Sequence, residues 1–146
     1  MLRRIDGEPI PGRLVYRRSD RALDVEPRPS GGGSSLQLNT VQIEIDEEGR
    51  LLYVWGYCPH ESWEPATLDA PAATPGRLQY VGWATLRGAS IQLNADTGWV
   101  VGYDSSSQWL CLGDASAHAE MIAFAPGAVA ALNEKKMVAL WLHPLA

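Results

Sequence analysis

Phenylalanine is nearly missing from this chain of 146 residues: one Phe stands against six Trp and five Tyr. Aromatic bulk therefore comes with a polar handle, which suits half-buried sheet faces and binding surfaces better than a dry core. Cysteine is equally scarce. Cys58 and Cys111 alone cannot make a disulfide framework. No run approaches the ~18 apolar residues of a membrane span. Arg3 and Arg4 are not followed by the apolar segment of a signal peptide. These absences lead to the expectation of a cytoplasmic protein with reduced thiols and no membrane partner. Walker loops, G-x-G-x-x-G and G-x-S-x-G are also lacking, which removes the common phosphate cradles and the nucleophile elbow.

What is present is a globular composition, 46% hydrophobic and 20% charged, which argues against disorder of the whole chain. The length favours a single domain over 1–146. The net charge of −5 is unevenly spread: seven Arg fall before residue 29, leaving the remainder strongly acidic. An acidic body repels phosphate backbones, so nucleic acid is not an expected partner.

The chain reads mainly as short strands. Residues 13–18 and 22–26 flank a turn at Ser19-Asp20, and 27–35, rich in Pro, Gly and Ser, reads as a flexible loop. Val41, Ile43 and Ile45 alternate with Gln42, Glu44 and Asp46, the period of a half-buried strand. A turn at Asp46-Glu47-Glu48-Gly49 returns the chain along 51–57, so 41–57 is predicted to be a central hairpin. Further strands are expected over 78–86, 90–93, 99–103 and 108–112, with turns at Arg87-Gly88 and Asp96-Thr97-Gly98. Towards the carboxyl end His118, Met121, Ile122, Ala125, Val129 and Leu132 recur at helical spacing, although Pro126 must break or kink a helix there. A strand over 120–124 followed by a short helix fits nearly as well. Lys135 and Lys136 suit a helix carboxyl terminus, and 137–142 closes as an apolar strand. The predicted fold class is α+β: a predominantly antiparallel sheet, meander or open barrel-like, with one or two short carboxyl-terminal helices.

His118-Ala119-Glu120 resembles the His-Ala-Glu signature of the zinc-dependent nucleoside and nucleobase deaminases. There the His binds zinc and the Glu moves protons around a metal-bound water. That family also requires Pro-Cys-x-x-Cys further along, and no Cys follows Glu120. A looser set, Cys58, His60, Cys111 and His118, lacks the paired close spacings of structural zinc sites. Asp96-Thr97-Gly98 resembles the Asp-Thr-Gly of retroviral-type aspartic proteases, yet a hairpin turn explains it without catalysis. No metal and no cofactor is therefore expected.

One segment carries the functional expectation. The loop 58–76 has four Pro and little periodicity, and a loop of that length inside a domain tends to be functional. With Tyr57 at its entry it gathers His60, Glu61, Trp63 and Glu64. Tyr57 and Trp63 are predicted as interface anchors, with Glu61 and Glu64 as acidic rim contacts for a basic partner. The function expected is that of a non-catalytic protein-binding domain, neutralising or immunity-type. The element order over 91–132 resembles such immunity domains. The alternative is a small enzyme or small-ligand binder with its pocket under the 58–76 loop.

Overall fold

The computed structural model describes residues 1–81, 88–94 and 98–145. The first six strands are β1 (Leu2–Ile5), β2 (Arg13–Arg17), β3 (Ala22–Glu26), β4 (Ser34–Leu38), β5 (Val41–Ile45) and β6 (Leu51–Tyr57). A single 3-10 turn, His60–Ser62, precedes β7 (Glu64–Pro65), β8 (Thr74–Pro75), β9 (Arg77–Tyr80) and β10 (Ser90–Gln92). The chain ends with β11 (Val101–Tyr103), β12 (Leu110–Gly113), β13 (Glu120–Ala125), β14 (Ala128–Asn133) and β15 (Lys136–Leu142).

These strands make a six-stranded sheet, β10-β4-β5-β6-β3-β2, a seven-stranded sheet, β7-β11-β12-β15-β14-β13-β8, and the small pair β1-β9. The two large sheets face one another across a shared core. Leu36, Leu38, Ile43, Ile45 and Val54 come from one sheet, and Leu110, Leu112, Ile122, Phe124, Leu140 and Leu142 from the other, all at 0% exposure. Burying each such side chain stabilises the fold by about 1.5–3 kcal/mol. The predicted hairpin 41–57 forms, pairing Val41↔Gly56 to Ile45↔Leu51 with a register shift at Glu44/Ile45, and Val41, Ile43 and Ile45 are turned inward as expected.

Both flanks between the sheets are closed by main-chain pairing. On one side β9 bridges to the residue before β6 through Arg50↔Gln79, and β1 reaches the other sheet through the Leu2 N–H to the Lys135 carbonyl. On the other side residues 143–145 leave β15 and pair in parallel with β2. There the Tyr16 N–H donates to the Leu145 carbonyl at 3.1 Å, and the Leu145 N–H donates to the Leu14 carbonyl at 2.8 Å.

The α+β expectation is overturned: 51% of the residues lie in strands and 2% in helix, with no helix of seven or more residues, so the fold is all-β. No helix among the described residues is long and apolar enough to cross a membrane. The predicted carboxyl-terminal helix is the hairpin β13–β14. Both of its faces are covered, so its strands carry near-continuous apolar runs that periodicity cannot separate from a buried helix. On β14, Ala128, Ala130 and Leu132 face the shared core, while Val129 and Ala131 face a second cluster on the outside of the sheet. Pro126-Gly127 forms the turn. Pro126 presets the first turn position, and Gly127 takes φ +63°, where a Cβ would approach Leu14 Cβ to 2.7 Å. Glu134 and Lys135, at φ +51° and +68°, are likewise hairpin-turn residues and not a helix end. The 27–35 segment also yields more structure than predicted, since Ser34 and Ser35 are buried in β4. The expected strand over 78–86 forms across Arg77–Tyr80. Residues 82–86, Arg87 and the Asp96-Thr97 part of the second turn lie outside the described residues.

Candidate functional site

The segment 58–76 does two jobs. Its second half is a strap over the outer face of the seven-stranded sheet. β7 pairs with β11 at one edge of that sheet and β8 with β13 at the opposite edge, so the chain between them crosses the whole face. Leu68, 5% exposed, packs there with Cys111, Val129 and Trp141. Gly102 lets the strap approach closely, since a Cβ on it would lie 3.2 Å from Ala66 Cβ. Asp104 fastens the crossing: its Oδ2 accepts the Leu68 N–H at 2.7 Å, while its Oδ1 accepts the Ser106 and Ser107 N–H groups. These bonds, the one from Leu68 first, hold the Asp104 carboxyl below the ordinary carboxylate range.

The first half, with β2 and β11, builds an aromatic corner. By the period of two, Leu14, Tyr16 and Arg18 share one face of β2. Leu14 is in the core, the Tyr16 ring packs against it, and Arg18, just past the strand, is exposed at the rim. Val101 and Tyr103 lie along the core in the same way on β11. Trp63 sits between the two tyrosines, its ring centroid 4.9 Å from each, with interplanar angles of 50° and 43°. Such tilted pairs add about 0.5–1.5 kcal/mol beyond the area they bury. The Trp63 indole N–H is buried without a well-placed acceptor; the Cys58 thiol beside it is a weak one.

The Tyr16 hydroxyl ties this corner to the main chain. It donates to the Cys58 carbonyl at 2.7 Å and accepts the His60 N–H at 3.0 Å. His60 Nδ1 lies 3.2 Å from the same oxygen and 3.4 Å from Glu61 Oε1. The single phenolic proton points at Cys58, so the Nδ1–H tautomer, donating, satisfies both contacts. Burial raises the Tyr16 phenol above its ordinary value and pushes the Cys58 thiol up to about 11. Burial likewise pushes Cys111 up to about 12. Neither thiol is a nucleophile at neutral pH.

Two adjoining clefts open at this corner. One, of about 210 Å³, is lined by Tyr16, Arg18, Trp63, Tyr103, Gln108 and the tail residues Pro144 and Leu145. The other, of about 310 Å³, shares Arg18, Trp63 and Tyr103 and extends to His60, Glu64 and Pro65. The charges around them are unevenly compensated. Arg17 pairs with Glu26 at 3.0 Å and Arg21 with Glu61 at 2.5 Å. Arg18, which lines both clefts, has no carboxylate partner among the described residues.

Of the residues singled out in the sequence, the structure brings His60, Trp63 and Glu64 to the corner. Glu61 stands at its rim with its charge paired to Arg21. Tyr57, 50% exposed, lines neither cleft. Tyr16, Arg18, Tyr103, Gln108 and Leu145 were not anticipated. Residues 13–18 were expected to form a strand, but nothing in the sequence joined it to Tyr103. Cys58 and Cys111 fall in different clusters, the shared core and the strap's underside, so the loose zinc set is not assembled. Among the described residues no three of His, Cys, Asp and Glu converge on a metal position. His118 and Glu120 are exposed at the start of β13. No family model matches this chain, and no curated protein or solved structure does.

Proposed function

We propose that this chain is a cytoplasmic, non-catalytic binding domain whose partner is another protein, and that its recognition surface is the aromatic corner. The observation that carries this reading is the Tyr16–Trp63–Tyr103 stack. Three half-buried rings, fixed by the core behind them, are open to solvent on a cleft-lined face, and Arg18 lines both clefts. Trp, Tyr and Arg are the residues that dominate interface energetics, and rings already held by packing lose little entropy on binding. The acid–base groups here point the same way. The Tyr16 hydroxyl, His60 Nδ1 and Glu61 are taken up in hydrogen bonds and ion pairs within the protein, and the nearby thiol is protonated. With Glu61 paired, Glu64 is the acid that lines the clefts among the described residues, and Arg18 is the cation that lines both. A small-ligand or enzyme pocket under the 58–76 strap is the weaker reading, because Leu68 and the alanines beside it pack against the sheet there.

Photo-crosslinking tests this directly. A benzophenone amino acid at Gln108, exposed on the cleft lip, is expected to capture one protein from lysate of the source cells. The same probe at Lys136, exposed at the start of β15, should not, and Arg18→Glu should abolish the Gln108 adduct. Equal adducts at both positions, or a Gln108 adduct indifferent to Arg18→Glu, would overturn the proposal.

A further inference from the structure

Resting on that reading, we infer that the partner presents an extended stretch of polypeptide, laid along the corner parallel to β2, with a carboxylate on Arg18 and a proline or aliphatic side chain against Trp63 and Tyr103. Three features of the corner converge on this occupant.

The first is main-chain geometry. Residues 143–145 already lie as an extended segment in parallel with the edge of β2, bonded through Leu14 and Tyr16. The first cleft adjoins that segment, since Pro144 and Leu145 line it together with Tyr16 and Arg18 of the β2 side. In a parallel ladder the N–H and C=O of one residue point to the same side, so the Tyr16 carbonyl, like its N–H, faces the groove. A chain running on along β2 meets an acceptor there, which is strand addition at a sheet edge.

The second is shape. The two clefts share the Trp63–Tyr103 pair, so together they make a trough lined by these rings, with Pro144 lining one cleft and Pro65 the other. Aromatic troughs of this kind take proline-containing segments, whose restricted backbone loses little entropy on docking.

The third is charge. The neighbouring arginines face Glu26, Asp24 and Glu61, whereas Arg18 in the groove has no carboxylate partner among the described residues. A guanidinium in that position selects a carboxylate, which it grips with two parallel N–H donors. Glu64 in the second cleft disfavours a second acid further along, so the segment carries one acid and not an acidic run.

Phage display of random linear peptides on the intact protein tests the inference. The expected result is enrichment of sequences with one Asp or Glu next to Pro or an aliphatic residue. By calorimetry these peptides should bind at least tenfold more weakly when that acid is replaced by its amide, or when the protein carries Arg18→Glu. Lys136→Glu, remote from the groove, should leave their affinity within twofold. Enriched peptides without an acid, equal binding to the Arg18→Glu protein, or no enrichment at all would overturn it. So would tighter binding of a hexuronic-acid oligosaccharide, which also offers carboxylates and stacking faces. If no linear peptide binds but Gln108 still crosslinks a protein in an Arg18-dependent way, the partner docks with a folded surface and only this inference falls. Loss of that adduct as well removes the protein-binding reading with it.

Discussion

The two halves of the 58–76 segment start from similar material, proline-rich and poor in periodicity, and end in opposite physical states. The later half lies flat on a sheet, with its apolar side chains buried and Leu68 anchored to Asp104. The earlier half stands over the flank between two sheets, where neither sheet covers its rings, and leaves Trp63, Tyr16 and Tyr103 half in water. A strap adds stability by covering apolar surface, and a corner leaves some uncovered, where the proposed recognition would act. Length and composition cannot tell these apart. What decides is whether the chain passes over a sheet face or between two sheet edges.

Trp63 is where the comparison is most easily broken, because it belongs to both worlds. It packs against the shared core and also floors the clefts. Trp63→Ala is therefore expected to cost about 3 kcal/mol in chemical denaturation as well as weakening binding, whereas Trp63→Phe keeps most of the packing. A stability change below about 0.5 kcal/mol would mean that the ring is a free anchor, as read from the sequence. Next in size, Leu68→Ala should cost about 2 kcal/mol, by leaving a void over Trp141, and should not alter binding. Loss of binding on that change would join the strap to the site.

Acid sharpens the contrast further. Asp104 has a folded-state value below that of the unfolded chain, so its contribution is fully present above the unfolded carboxyl range, near pH 4. It is lost as pH falls through the lower folded value. Exchange of the Leu68 amide, followed by NMR, should accelerate in that window. In Asp104→Ala it should already be fast at neutral pH. Unchanged protection down to pH 2 would show that apolar packing alone holds the strap.

How much of this was legible in the sequence follows from how many faces each strand buries. The hairpin 41–57 could be read because one face of β5 is wet, so Gln42 and Glu44 break its apolar run. In β14 the strap and the core claim both faces, the alternation vanishes, and alanines chosen for close packing imitate a helix. The corner was half visible. Its loop residues His60, Trp63 and Glu64 stood out by type, but Tyr16 and Tyr103 lie 47 and 40 positions from Trp63, and only the pairing of whole sheets brings them together.

The smallest expected effect on stability carries the largest expected effect on binding, and it bears most directly on the central claim that the corner recognises and the strap supports. Arg18 and Ala70 are both exposed, one at each half of the contrast, and replacing either with Glu should shift stability by less than about 0.5 kcal/mol. The decisive measurement is the affinity of the crosslinked partner for Arg18→Glu and Ala70→Glu proteins, side by side. At least a tenfold loss for Arg18→Glu, with less than twofold for Ala70→Glu, is the predicted result. The reverse order would move the recognition surface onto the strap and contradict the account.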